Sequence, residues 1–248
     1  MSVTVARVSI IIPVLNEADC LGRTLRHLDI LNPAAAEIIV VDGGSSDDTV
    51  AIAKDYGAKV VFAERPWRSV QLNLGAQLAT GSMLCFLHGD TQVPDDLVTL
   101  VETTLANPAI AGGGFISVMA GDYATRWGVS LHNSLKTHYG ALLFYPRRYF
   151  RNGLRILFGD QVMFCRRSDF FACGGFDEGL PIMEDADLCL KLSRLGRIYQ
   201  VNRLVQSSDR RVAKWGPLKA NFIYLAIGLL WGMGVPGRWL KRFYEDVR

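Results

Sequence analysis

The chain has 248 residues, 50% of them hydrophobic and 10% aromatic, which excludes a disordered protein and allows one large domain with a substantial core. A formal net charge of +3 is too small to indicate a nucleic-acid binder, and no basic-aromatic repeat supports one. The five cysteines (Cys20, Cys85, Cys165, Cys173 and Cys189) are odd in number and contain no CxxC pair, which argues against a zinc site or a disulfide framework and points to a reducing compartment. Met1 to Arg7 show no charged region followed by an apolar stretch, so no signal peptide is expected and the cytoplasm is the expected location.

The first third alternates regularly. A strand over Val8 to Pro13, a helix from Asp19 to Asp29, a strand over Glu37 to Val41, a helix from Asp48 to Tyr56 and a strand over Ala58 to Ala63 predict right-handed βαβ crossovers and a mostly parallel sheet. A helix over Gln71 to Ala79, a strand over Met83 to Leu87 and a helix over Pro94 to Leu105 continue the pattern. Beyond Gly112-Gly113-Gly114 it loosens into a strand over Phe115 to Met119, a helix over Tyr123 to Tyr139 and a strand over Gln161 to Arg166 behind the turn Gly159-Asp160. Glu184 to Leu195 has helical spacing and is closed by Gly196. Residues 1–215 therefore read as one α/β domain, and residues 216–248 as a C-terminal helical, apolar appendage. The uncharged run Phe222 to Val235 is only 14 residues long, short of the roughly 20 that a spanning helix needs. With Lys219 before it and Arg238, Lys241 and Arg242 after it, it suits a helix at a membrane interface, and equally one packed on the domain or against a second copy of the chain.

The chemistry concentrates at strand ends. In open α/β sheets ligands bind beyond the carboxyl ends of the strands. Asn16-Glu17 follows the first strand and Asp42-Gly43-Gly44-Ser45-Ser46-Asp47 the second, so the two loops are expected side by side at that edge. A carboxylate there can accept from the ring NH of a base or from ribose hydroxyls, and the glycines admit backbone NH groups close to a ligand. Asp47 and Asp48 read better as caps of the next helix. His88-Gly89-Asp90 ends the fourth strand, where one carboxylate plus nucleotide phosphates can hold Mg²⁺ or Mn²⁺.

The segments Ile12-Pro13-Val14-Leu15-Asn16-Glu17, Val41-Asp42-Gly43-Gly44-Ser45-Ser46-Asp47, Leu87-His88-Gly89-Asp90-Thr91, Cys173-Gly174-Gly175-Phe176-Asp177 and Glu184-Asp185-Ala186-Asp187 together resemble a family 2 glycosyltransferase with the GT-A fold. Arg68-Ser69-Val70-Gln71-Leu72-Asn73-Leu74-Gly75-Ala76, the Leu-His-Gly-Asp-Thr cluster and Gly159-Asp160-Gln161 are similar to a bacterial subgroup associated with radical-SAM and selenium-domain proteins, some of them linked by name to arsenosugar biosynthesis. The resemblance implies a metal-dependent, inverting transfer of one sugar from a nucleotide diphosphate sugar to an acceptor, small or lipid-linked, that no residue here names. Pro13, Asn16, Glu17 and Asp42 would line the nucleoside pocket, with Arg68 near the base or diphosphate; Asn73, His88 and Arg210 complete the nucleotide-sugar-binding set. Asp90 would hold the divalent cation, Asp185 of the pair Glu184-Asp185 would be the catalytic base, and Asp160 and Gln161 would contact the acceptor.

Two departures from the family pattern bear on these roles. His88 stands where the family often has an acid, and can contact ribose, ligate the metal or only pack. A Gln-x-x-Arg-Trp element of processive relatives is absent; Ser207-Ser208-Asp209-Arg210-Arg211 falls in its place, where Arg210 or Arg211 can bind diphosphate or form a solvated charged turn. A non-catalytic nucleotide-binding or scaffolding protein on the same fold is the alternative of another class.

Overall fold

Ile10, Ile11 and Ile12 of the first strand and Ile39, Val40 and Val41 of the second are all fully enclosed. Successive side chains of a strand point to opposite faces. Ile10, Ile12 and Val40 accordingly join one apolar core, and Ile11, Ile39 and Val41 join another across the sheet. In the computed structural model, which describes residues 8–121 and 124–244, these runs are the centre of a sheet covered on both sides.

The elements β1 (Val8–Val14), α1 (Ala18–Asp29), β2 (Glu37–Asp42), α2 (Thr49–Asp55), β3 (Lys59–Phe62), α3 (Arg68–Leu78), β4 (Met83–Phe86) and α4 (Leu97–Leu105) follow the expected alternation. They continue with β5 (Ile110–Ala120), α5 (Trp127–Phe144), α6 (Pro146–Asn152), β6 (Met163–Arg166), α7 (Arg167–Ala172), α8 (Glu184–Leu192), β7 (Arg197–Ser208), α9 (Arg210–Trp215), α10 (Pro217–Gly232) and α11 (Gly237–Leu240). Among the described residues one seven-stranded sheet has the order β3-β2-β1-β4-β6-β5-β7. Its pairs are parallel except where β6 runs antiparallel to β4 and β5.

Four differences from the sequence reading have physical causes. β5 begins at Ile110, because Gly112 to Gly114 are not a loop but the place where the neighbouring strands β6 and β7 come closest. A Cβ on Gly113 would stand 2.6 Å from the Phe164 ring and 2.7 Å from the Tyr199 carbonyl oxygen. β7 was not expected at all: it is an edge strand paired only with β5, so Arg197, Asn202 and Arg203 point to solvent and mask its alternation. The helix expected over Tyr123 to Tyr139 is α5, running to Phe144; Tyr123 and the leader reading of Met1 to Arg7 lie outside the described residues. The apolar run 222–235 lies mostly in α10, which packs on α5 and α9, buries Ala220 and Ile227, and leaves Leu218 and Phe222 exposed. Among the described residues no helix is long and apolar enough to cross a membrane.

Candidate active site

The loops after β1 and β2 do lie side by side at the sheet's carboxyl edge. The Asn16 backbone, in the left-handed region at φ 55°, donates to Ser45 Oγ at 2.9 Å, and Asn16 Oδ1 accepts from the Ser46 N–H at 2.8 Å. Asp47 accepts from the backbone N–H groups of Ala18 and Thr49, the first residues of α1 and α2, as a cap does. Asp42 is 1% exposed, and its carboxylate accepts from the Gly44 and Ser45 N–H groups at 2.9 and 3.0 Å and from Ser45 Oγ.

Beside these loops a cavity of about 480 Å³ opens between the sheet edge and the helices α5, α9 and α10. Pro13, Glu17, Arg68, His88, Asp90, Asp160, Glu184, Asp185 and Arg210 all line it. Asn16, Asp42, Asn73 and Gln161 stand outside its wall. Asn16 and Asp42 are spent on holding the loops, as buried polar groups must find partners. Asn73 braces the loop after α7: its Nδ2 donates to the Phe176 carbonyl at 2.9 Å, and its Oδ1 accepts from the Phe176 N–H at 3.0 Å. Gln161 is fully buried, donating to Thr137 Oγ1 at 3.0 Å and accepting from the Phe158 N–H at 3.0 Å.

Asp185 sits in the first turn of α8 against the loop that carries Gly159. The Gly159 N–H donates to its Oδ2 at 2.8 Å, and Arg68 Nη2 lies 3.7 Å from the same oxygen. Burial and then the neighbouring Glu184 charge push the Asp185 carboxyl up to about 7, against the opposing pull of Arg68 and the Gly159 N–H. A carboxylate so tuned takes a proton readily near neutral pH. Arg68 also reaches Glu184 Oε1 at 3.7 Å and meets His88 Nε2. A guanidinium can only donate, so that nitrogen is the acceptor and the ring proton is on Nδ1. Burial, with the charges of Arg68, Arg211 and Arg210, holds His88 well below its usual range, so the imidazole is neutral.

At the other end of the same edge Arg210 Nη2 donates to Glu17 Oε2 at 2.7 Å and to Asp90 Oδ2 at 3.0 Å, linking the loop after β1, the end of β4 and the start of α9. The helical wall adds Lys136, Tyr139, Arg211, Tyr224 and Tyr244. Sequence reading weighed Arg211 but missed the other four: Lys136, Tyr139 and Tyr224 belong to helices with no motif, and Tyr244 follows the last helical turn. One signal for them existed: residues 124–159 and 210–244 hold six and seven lysines and arginines and no aspartate or glutamate.

The Glycosyl transferase family 2 model matches residues 9–175. The chain belongs to that family. Among curated relatives it is 30% identical over 128 residues to glucosyl-3-phosphoglycerate synthase of Mycolicibacterium paratuberculosis, covering 51% of this chain and 36% of that one. It is 29% identical over 204 residues to the succinoglycan biosynthesis protein ExoA of Rhizobium meliloti, covering 78% of this chain and 60% of that one. The chain thus spans between about a third and three-fifths of the length of these two relatives. In fold it matches the crystal structure of Mycobacterium tuberculosis glucosyl-3-phosphoglycerate synthase in complex with Mn²⁺, UDP and glucosyl-3-phosphoglycerate, with TM-score 0.65, 22% identity, and 94% of this chain and 81% of that one covered.

The family's divalent cation can be tested against this site. Among the described residues no cluster of three or more His, Cys, Asp and Glu side chains could cage a metal. Asp90 stands at the cavity wall with Glu17 across Arg210, a donor set of one or two carboxylates. That fits Mg²⁺ or Mn²⁺ completed by phosphate oxygens of a ligand, and not a cation held by protein alone.

Proposed function

We propose that the chain transfers one sugar from a nucleotide diphosphate sugar to an acceptor hydroxyl by a single inverting displacement, with Asp185 as the base. The observation that carries this is the buried Asp185 carboxylate at the cavity wall, raised to about 7 and held by the Gly159 N–H. In this reading the acceptor oxygen gives its proton to Asp185 as it bonds to the anomeric carbon. The glycosidic C–O bond breaks on the opposite face, and its electron pair leaves with the diphosphate. Arg68 keeps Asp185 ionised long enough to act and Glu184 keeps it basic. When bound, Mg²⁺ or Mn²⁺ would be held by Asp90 and the donor phosphates, and would neutralise charge on the departing diphosphate. Glu17 and Pro13 face the donor, Arg210 supplies a guanidinium at the diphosphate, and Asp160 faces the acceptor. Membership of the radical-SAM and selenium-domain subgroup, residence in the cytoplasm and the division at residues 215 and 216 go with this reading. The five cysteines, none of them paired, support the reducing compartment.

Calorimetric titration with UDP, GDP and dTDP, each with and without Mn²⁺, tests it. One nucleotide is expected to bind in a metal-dependent way that Asp90→Ala abolishes. If no nucleotide binds, the non-catalytic scaffold replaces the transferase.

A second reading places the acceptor in a membrane. One face of α5 carries Trp127, Leu131 and Leu135, four residues apart and 70%, 62% and 53% exposed, with Arg147, Arg148 and Arg151 just beyond its end. Co-sedimentation with vesicles containing anionic lipid, lost in Leu131→Asp/Leu135→Asp, would support it; no sedimentation of the unaltered chain would exclude it.

A further inference from the structure

The two acid-free stretches, 124–159 and 210–244, are far apart in sequence, yet α5 from the first packs against α10 from the second, and together with α9 they form one wall of the cavity. The cavity is therefore polarised. Its carboxylates come from the sheet edge, the Gly159-Asp160 turn and the first turn of α8, while the helical wall adds cations, aromatic rings and aliphatic side chains but no acid.

Two of these cations lack a carboxylate partner. Lys136 Nζ lies 3.7 Å from the Phe158 ring centroid and 5.3 Å from that of Tyr224, with no ion pair among the described residues. Burial lowers its pKa, opposed by the charges of Asp160 and Asp185, so the lysine stands within electrostatic reach of the base. The Arg211 guanidinium carbon is 4.3 Å from the Tyr244 ring centroid; it donates to Tyr244 Oη and is hydrogen-bonded to Tyr224, which thus bridges the two cations. Arg211 Nε is buried without a hydrogen-bond partner, and Trp215 Nε1 beside it is in the same condition. Buried donors left unmet are rare in folded proteins and mark places where a ligand or water belongs. Arg68 Nε is also without a hydrogen bond, but Arg68 has carboxylates at 3.7 Å, Arg126 pairs with Asp209 at 2.6 Å, and Arg210 pairs with Glu17 and Asp90.

We propose that Lys136 and Arg211 form the seat of a phosphate group carried by the acceptor, separate from the donor's diphosphate at Asp90 and Arg210. This rests on the transferase reading and names its substrate class: a hydroxylated phosphate ester, small or lipid-borne. An anion held by these cations is fixed at one end, which leaves a neighbouring hydroxyl to be presented to Asp185. Two cations on different helices, with tyrosine hydroxyls between them, suit the several oxygens of a phosphate better than a flat carboxylate.

The test is calorimetric titration of the full chain with glycerol 3-phosphate, with glycerol, and with a 1-acyl-glycerol 3-phosphate, a lipid that keeps a free hydroxyl beside its phosphate, each in the presence and absence of UDP and Mn²⁺. Glycerol 3-phosphate or the acyl-glycerol phosphate is expected to bind without displacing UDP, while glycerol is expected not to bind. Binding of the phosphate is expected to weaken by about tenfold or more in Lys136→Gln and Arg211→Gln, with UDP affinity unchanged in both. Tight binding of the acyl-glycerol phosphate alone identifies a lipid source, and of glycerol 3-phosphate a free one. Competition of the phosphate with UDP, equal affinity in the variants, or no binding of either phosphate would overturn the proposal. If Arg211→Gln does not fold, Arg211→Lys and Lys136→Gln carry the same comparison. Failure of UDP, GDP and dTDP alike to bind would count against the transferase reading alone, because the titrations without nucleotide still decide the phosphate seat.

Discussion

The Gly159 N–H donates to Asp185 Oδ2 at 2.8 Å, and a Cβ at Gly159 would stand 2.3 Å from Arg68 Nη2, 2.4 Å from His88 Nε2 and 2.9 Å from that same Oδ2. Residue 159 is therefore where three polar side chains converge on one backbone, with no room for a methyl group. Gly159→Ala is expected to lower kcat by about a hundredfold, the scale of misplacing a catalytic group by about 1 Å, while UDP affinity changes little. Steady-state kinetics and calorimetry on the same preparation measure both; an unchanged kcat would remove Gly159 from the positioning of the base.

Asp185 is held up by burial and Glu184 and pulled down by Arg68, so the two neighbours act on it with opposite sign. The rate of nucleoside diphosphate release from the donor sugar nucleotide, expressed as kcat/KM, is expected to rise with pH through about 7. Glu184→Gln removes the raising charge and should move this limb to lower pH; Arg68→Gln removes the lowering charge and should move it to higher pH. Shifts in the same direction, or none, would show that another group titrates.

Stability follows from the same group. Asp185 binds its proton more tightly in the folded chain, near 7, than in the unfolded one, near 3.8, so its contribution is full below the lower value and is lost as pH rises through the upper. Asp185→Asn cannot titrate. The melting temperature of the variant relative to the unaltered chain is expected to climb between pH 4 and pH 7 and level off above, by several degrees at about 1.4 kcal/mol per pKa unit. A constant difference across that range would deny the raised pKa. The same variant should lose sugar transfer, the cost of stability traded for a buried base.

Arg210 bridges Glu17 and Asp90 through one nitrogen, so it holds the carboxylate proposed to bind the cation. Arg210→Ala is expected to weaken UDP binding about tenfold through loss of a charge-assisted contact to the diphosphate, and to lower the Mn²⁺ concentration needed for half-maximal binding by freeing Asp90. Calorimetry across a Mn²⁺ series separates the two effects. A higher Mn²⁺ requirement would mean that Arg210 orients Asp90 rather than competing for it.

Asn73 spends its side chain on both backbone groups of Phe176. Asn73→Ala should leave UDP affinity within about twofold and lower stability by about 1–3 kcal/mol, the range for leaving buried backbone groups unpaired. Urea denaturation gives the second value; a large loss of UDP affinity at unchanged stability would return Asn73 to the nucleotide site.

The sequence by itself determined the parts of this protein whose signals are local. Runs such as Ile10 to Ile12 and Ile39 to Val41 specify buried strands, their spacing with the helices between them specifies a parallel sheet, and that sheet dictates that Glu17, Asp90 and the loops around Asp42 meet at one edge. Only the tertiary structure decided which of those polar residues line the cavity. Asp42 carries the same carboxylate as Asp90, Glu17 and Asp160, and Asn16, Asn73 and Gln161 carry amides as able to meet a ligand, but each has its hydrogen bonds taken up by neighbouring backbone or a buried hydroxyl, a matter of contacts between residues up to 103 positions apart. β7 was hidden for a related reason: an edge strand has one partner, and its solvent side erases the apolar pattern that marks a buried one. The meeting of Lys136 with Arg211 across α5, α9 and α10 was written in the sequence only as an absence of acid, because packing between helices, and not any spacing along the chain, brings the two cations to the same cavity.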